Sequence, residues 1–156
     1  MLKNGIIHIL LVVLVIMVIP KTSVWSAEQV NLCQLFEKPS KFAKKVVEIN
    51  GYLRPMMHGT YLKQEDCDQG ILIVLPDEIP NYKETVKVIK DSEYEIFEKA
   101  RFNYLPGVPK YSAVFMGMIE YKRSGKGFGY YGNHRVRLVL QSITKGVFDQ
   151  LAQPEE

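Results

Sequence analysis

The chain has 156 residues, 47% of them apolar and 24% charged. Once an export leader is set aside, that length accommodates one ordinary domain, so this sequence holds neither a multidomain enzyme nor a long repeat array. The balance of apolar to charged residues is that of a globular chain, which excludes wholesale disorder.

Residues 1–26 read as a signal peptide. Lys3 supplies a positive start, and Ile6 to Ile19 is apolar except at His8. Pro20 and Lys21 end that run, and the small residues up to Ser26 or Ala27 suit a signal peptidase. Fourteen residues span about 21 Å as a helix, short of the roughly 30 Å hydrocarbon core. The alternative is an uncleaved signal anchor, the one membrane attachment expected here. Asn31 and Leu32 ahead of Cys33 are not the small residues of a lipid-anchor motif. The expected location is therefore bacterial periplasm or extracellular space.

Without Lys3 and Lys21 the chain carries 18 basic and 17 acidic residues, a net of +1. The charge is unevenly spread. Residues 65–98 hold ten acids and three lysines, whereas 99–145 hold nine basic residues and one acid, Glu120. Either the two segments lie together and compensate, or the second forms a basic face for an anionic ligand.

A single domain is expected over 27–150, with a tail at 151–156. Residues 31–38 predict a short helix with Asn31 at the N-cap, Leu32, Leu35 and Phe36 on one side, and Pro39 as the stop. Lys45–Arg54 alternates as a half-buried strand, with Val47, Ile49, Gly51 and Leu53 on one face. Pro55–Gly59 reads as a loop, Thr60–Lys63 as the start of a second strand, and the apolar Ile71–Leu75 as a strand buried on both faces. Thr85–Lys90 is ambiguous: it suits an extended segment, or a helix begun by Asn81 and Glu84. From Asp91 a helix is predicted, with Ser92 and Glu95 at capping-box spacing and Tyr94, Phe97 and Ala100 or Arg101 facing inward. Acids fall in its first turn and Lys99 and Arg101 in its last, as the helix dipole favours; Pro106 and Pro109 end it. Tyr111–Lys122 alternates as a long strand, Gly125–Gly132 reads as a glycine-rich turn, and Arg135–Ile143 as the last strand.

Strand, strand, strand, helix, strand, strand, with a helix in front, predicts an all-β fold with two short helices. The order is that of a five-stranded OB-fold barrel, whose helix lies between strands three and four. Gly51 and Gly117 suit the sharp coiling of such a barrel. An SH3-like barrel and an α+β sheet packed on one helix are the competing folds. The segments Asn31-Leu-Cys-Gln-Leu, Val46-Val-Glu-Ile-Asn-Gly, Cys67 ahead of Ile71-Leu-Ile, and Gly127-Phe-Gly-Tyr-Tyr-Gly-Asn-His-Arg-Val-Arg-Leu-Val-Leu resemble a group of small exported bacterial proteins. The resemblance spans most of residues 31–143. It implies export and an OB-like barrel closed by a glycine-aromatic turn and an arginine-bearing strand; no activity is established for that group, so no residue role carries over.

Motifs for catalysis are missing: the sequence has no Gly-x-Ser-x-Gly elbow, no His-Glu-x-x-His pair and no Walker loop. Cys33, Cys67, His58 and His134 lack the close spacing of a structural zinc site, and Glu65, Asp66 and Asp68 lack the pattern of a calcium loop. No metal or other cofactor is expected. One constellation remains. In an OB barrel, the loop between strands one and two and the loop between four and five flank the binding face. Here they carry Met56, Met57 and His58, and Phe128, Tyr130, Tyr131, Asn133 and His134, beside Arg54, Arg135 and Arg137. Exposed aromatics next to arginines suit stacking on planar groups or sugar rings, with cations for an anion. Alternatively, Tyr130 and Tyr131 are lids over the barrel core, with Met56 and Met57 beneath.

The function expected is a non-enzymatic, monomeric binding module for an anionic or aromatic-stacking ligand or an envelope protein. A small hydrolase using His58 or His134, and a structural or assembly partner, are the alternatives. Nucleic acid is disfavoured by export and near-neutral charge, and fold analogy alone does not restore it. Export also predicts that the two cysteines, Cys33 and Cys67, pair as a disulfide. Two buried free thiols are the alternative.

Overall fold

In a computed structural model that describes residues 27–80, 82, 86–102 and 109–149, the protein is mostly β, with a six-stranded sheet and three short helices. The expected leader, the tail at 151–156, Asn81, Glu84, Thr85 and Pro106 lie outside the described residues. The strands are β1 (Glu28–Gln29), β2 (Val46–Met56), β3 (Gly59–Gln64), β4 (Cys67–Val74), β5 (Tyr111–Tyr121) and β6 (Val136–Phe148). The helices are α1 (Leu32–Glu37), α2 (Pro39–Phe42) and α3 (Ser92–Ala100), with a 3-10 turn at Pro76–Glu78.

Local chemistry accounts for most of these elements and corrects several expectations. Asn31 caps α1, its side chain accepting from the Cys33 N–H at 2.8 Å. Pro39 does not stop the helical region. It opens α2 from the first turn, where its missing N–H costs nothing, so the helices number three rather than two. Asp91, not Ser92, caps α3 by accepting from the Tyr94 N–H at 3.0 Å. Tyr94, Phe97 and Ala100 form the buried stripe of α3. Val86–Lys90 forms no regular element, but the Ile89 N–H donates to the Gln141 carbonyl of β6.

The neighbour order is β1-β2-β3-β4-β6-β5, and β5 pairs on its other flank with β2. All pairings are antiparallel except β1 with β2 and β4 with β6. The sixth strand, β1, was not expected. β6 also runs to Phe148, beyond the expected end at Ile143, because β5 offers partners as far as Tyr111. The alternating residues Val47, Ile49, Leu53, Ala113, Phe115 and Ile119 all enter the core, as do Ile71 and Ile73 of the continuous apolar run. Gly51 and Gly117 stand where a β-carbon would collide with a carbonyl oxygen of the next strand, from Lys63 and Val139 respectively. Glycine there permits close strand approach.

Cys33 and Cys67 form a disulfide, with α-carbons 5.6 Å apart. It ties α1 to Cys67, the first residue of β4. The acidic and basic segments meet in part: Arg101 pairs with Glu78 and Glu98, and Lys110 lies near Glu65.

Candidate ligand-binding face

Both loops of the expected face are tighter than the sequence suggests. β2 continues through Pro55 to Met56, which pairs with Gly59, leaving only Met57 and His58 at the hairpin tip. Inside the β5–β6 connection a smaller hairpin forms. The Gly127 N–H donates to Gly132, the Gly132 N–H to Gly129, and Phe128 and His134 exchange backbone hydrogen bonds of 2.7 and 3.3 Å. Gly129 and Gly132 adopt φ of 78° and 67°, the left-handed region that glycine enters without penalty. This turn lifts Tyr130 and Tyr131 to the loop tip.

The two tips meet. The His58 ring stacks on Tyr130 with centroids 4.8 Å apart and planes 11° apart, and Tyr131 stands edge-on to both rings. Tyr130 and Tyr131 are 70% and 68% exposed, and Met56 and Met57 are exposed beside them. They are therefore not lids over the core. Phe128 is the buried aromatic of this loop.

Beneath the loop, a row of side chains crosses four strands in register: Tyr61 opposite Leu72, Leu72 opposite Arg137, and Arg137 opposite Glu120. At one end of the row, the Tyr61 hydroxyl and His134 Nε2 share a hydrogen bond of 2.9 Å. At the other, buried Glu120 accepts from Arg137 Nε at 2.6 Å, from Lys44 Nζ at 2.9 Å and from the Tyr82 hydroxyl at 2.5 Å. Burial pushes the Glu120 pKa up, but the hydrogen bonds from Tyr82, Lys44 and Arg137 outweigh it and hold the carboxyl below its usual value. Lys44 is shifted up by its hydrogen bonds to Tyr82 and Glu120. Burial raises Tyr61.

Two clefts flank the glycine loop. One, of about 410 Å³, lies among Met56, Met57, His58, Phe102, Arg101 and Leu72. The other, of about 620 Å³, lies among Lys44, Tyr82, Lys122, Phe128 and Glu120. Gly129 and Arg137 line both.

The structure thus divides the expected site residues. Met56, His58, Tyr130 and Tyr131 gather at the first cleft and its rim. His134 faces Tyr61 and holds the loop down, and Arg135 donates to the Gly125 carbonyl at 2.8 Å within its own loop. Arg54 and Asn133 are exposed without a part in the ring cluster. Among the described residues no three metal-binding side chains come together. Sequence reasoning missed Lys44, Tyr82, Arg101, Phe102 and Glu120. Only Glu120, the lone acid of a basic segment, left a visible signal. No protein-family model matches the chain, and no curated protein does either.

Proposed function

We propose that this protein is an exported, non-enzymatic binding domain on an OB-type barrel, with the joined tips of the β2–β3 hairpin and the β5–β6 loop as its ligand face. The barrel reading is supported by the succession of pairings β2–β3–β4–β6–β5–β2, which returns to its first strand, and by α3 lying between β4 and β5. Export is supported by the disulfide, which persists in oxidising compartments. Among the described residues no helix is long and apolar enough to cross a membrane.

One observation carries the functional reading. Aromatic rings from two loops more than seventy positions apart in the chain meet at the surface and are largely solvent-exposed. Apolar surface held open by this much structure suits a ligand. The hydrolase alternative draws no support from either histidine: His58 lies against tyrosines, His134 against Tyr61.

A screen of soluble glycans, peptides and nucleotides tests the reading, using the protein and its Tyr130→Ser/Tyr131→Ser variant. The expected result is a ligand whose affinity falls by about tenfold or more in the variant, as for a stacking contact worth ~1–3 kcal/mol, while the unfolding midpoint stays within error. A ligand indifferent to both tyrosines would overturn it.

A further inference from the structure

We infer that the partner of this face is an anionic phospholipid surface, with Met57, Tyr130 and Tyr131 entering the headgroup layer. The inference rests on the reading of the joined loop tips as the binding face and names what they bind.

Eight large hydrophobic side chains are exposed among the described residues; of these, Met56, Met57 and Phe102 line one cleft with His58, and Tyr130 and Tyr131 pack against the His58 ring. These five come from the ends of three elements: a hairpin tip, a loop tip and the turn after α3. Met57, at 85% exposure, projects almost completely. Projecting tips of this kind suit a fluid interface, which requires no shaped counterpart. Tyrosine suits that depth, because its ring is apolar and its hydroxyl stays wet. Methionine is flexible enough to pack among acyl chains.

Charge selects the lipid. From Tyr121 to Val136 the chain has four basic residues, Lys122, Arg123, Lys126 and Arg135, all exposed, and no acid. Arg54, two positions before Met56, adds another exposed cation. The acid that lines the aromatic cleft, Glu78, shares Arg101 with Glu98, at 2.9 and 3.1 Å, so the cations free for a lipid surface are those of the glycine loop and Arg54. A few apolar side chains alone give marginal, reversible attachment, and a basic patch beside them is the second signal that stable docking requires. Beneath the tips, Arg137 is bonded to Glu120 and lies against the Phe128 ring, and Tyr61 bonds to His134, so the loop is tied to the sheet on both sides of Tyr130 and Tyr131.

Co-sedimentation of the exported, processed protein with vesicles tests this directly. Vesicles of phosphatidylglycerol mixed with phosphatidylcholine should bind the protein about tenfold or more tightly than phosphatidylcholine alone, and the preference should fade at about 0.5 M salt. Met57→Ser/Tyr130→Ser/Tyr131→Ser should weaken binding about tenfold or more with the unfolding midpoint retained, and Lys126→Gln/Arg135→Gln should weaken it on the anionic vesicles only. Ile89→Ser, at an exposed apolar position outside the cluster, should change nothing. No binding to the anionic vesicles, equal binding to both kinds, or binding that survives the triple change would each overturn the inference. If vesicles fail while a soluble glycan or peptide requires Tyr130 and Tyr131, only the lipid assignment falls. If vesicles fail and no ligand requires them, the binding face falls as well.

Discussion

Phe128 lies over Arg137, its ring centroid 4.2 Å from the guanidinium carbon, while the same guanidinium is bonded to Glu120. One arginine thereby joins the glycine loop to the sheet. Its charge is met on one side by a carboxylate and on the other by the face of a ring. With His134 bound to Tyr61 at the far end of the row, the loop is fixed at two points. Tyr130 and Tyr131 project from the short stretch between them.

The Arg137–Glu120 pair should matter for stability, because both side chains are mostly buried, at 18% and 11% exposure. Replacing Glu120 with Ala leaves a buried guanidinium without its carboxylate, a loss expected to cost about 3 kcal/mol or more. Urea unfolding of Glu120→Ala measures it. A change below about 1 kcal/mol would place this pair with ordinary surface ion pairs.

The same carboxylate shapes the acid limb of stability. A folded-state pKa below the unfolded value, near 4.5, means that the contribution of Glu120 is present above that pH. It is lost as pH falls through the lower folded value. Glu120→Gln should therefore show a shallower loss of stability below pH 4.5 than the native protein. At the alkaline end, burial and then Glu98 push Tyr94 up to about 12, and burial and then Glu93 push Tyr111 up to about 12. Unfolded tyrosine ionises near 10.0, so stability is full below that pH and declines between it and about 12. Tyr111→Phe should reduce this alkaline slope in unfolding curves collected across that range.

Strands were readable where one face is buried, as with Val47, Ile49 and Leu53, or where both are, as with Ile71 to Ile73. β1 was not, because Glu28 and Gln29 have no strand pattern of their own and become a strand only by pairing with Val47 and Glu48. Pro39 misled for a related reason: proline marks either the end of one helix or the first turn of the next, and the local sequence fits both. The aromatic tips could be anticipated from composition. The network under them could not, since Lys44 lies 38 positions from Tyr82 and 76 from Glu120, and no periodicity links such distant residues.

Gly127 provides a test of the loop itself. A β-carbon there would collide with the His134 carbonyl oxygen and stand 2.6 Å from that of Gly132, both backbone atoms of the inner hairpin. Gly127→Ala should separate the two halves of that hairpin, destabilise the protein by about 1–3 kcal/mol and unstack His58 from Tyr130. Gly125→Ala is the comparison: φ is 75° but no atom lies within 4 Å of the added carbon. It should cost only about 1–2 kcal/mol of backbone strain and leave the ring stack intact. Ring chemical shifts of His58 and Tyr130 separate the two outcomes.

The disulfide between Cys33 and Cys67 is expected to stabilise the fold by several kcal/mol. Cys33 to Cys67 closes a separation of 34 positions, for which the loop-entropy relation gives about 3.7 kcal/mol of stabilisation. The bond does not act alone on α1. Leu32 and Leu35 are fully buried, and the Leu32 N–H donates to the Gln64 side chain at 2.7 Å. Burial of those two leucines, worth roughly 1.5–3 kcal/mol each, should keep the helix docked once the sulfurs are separated. Cys33→Ala/Cys67→Ala should therefore fold, with its urea midpoint lowered by the equivalent of about 3–4 kcal/mol and the signals of β5 and β6 little changed. Leu35→Ala in that background should remove a further 2–5 kcal/mol and release α1. A double-cysteine variant as stable as the native protein would show that packing alone holds α1, leaving the bond no part in stability.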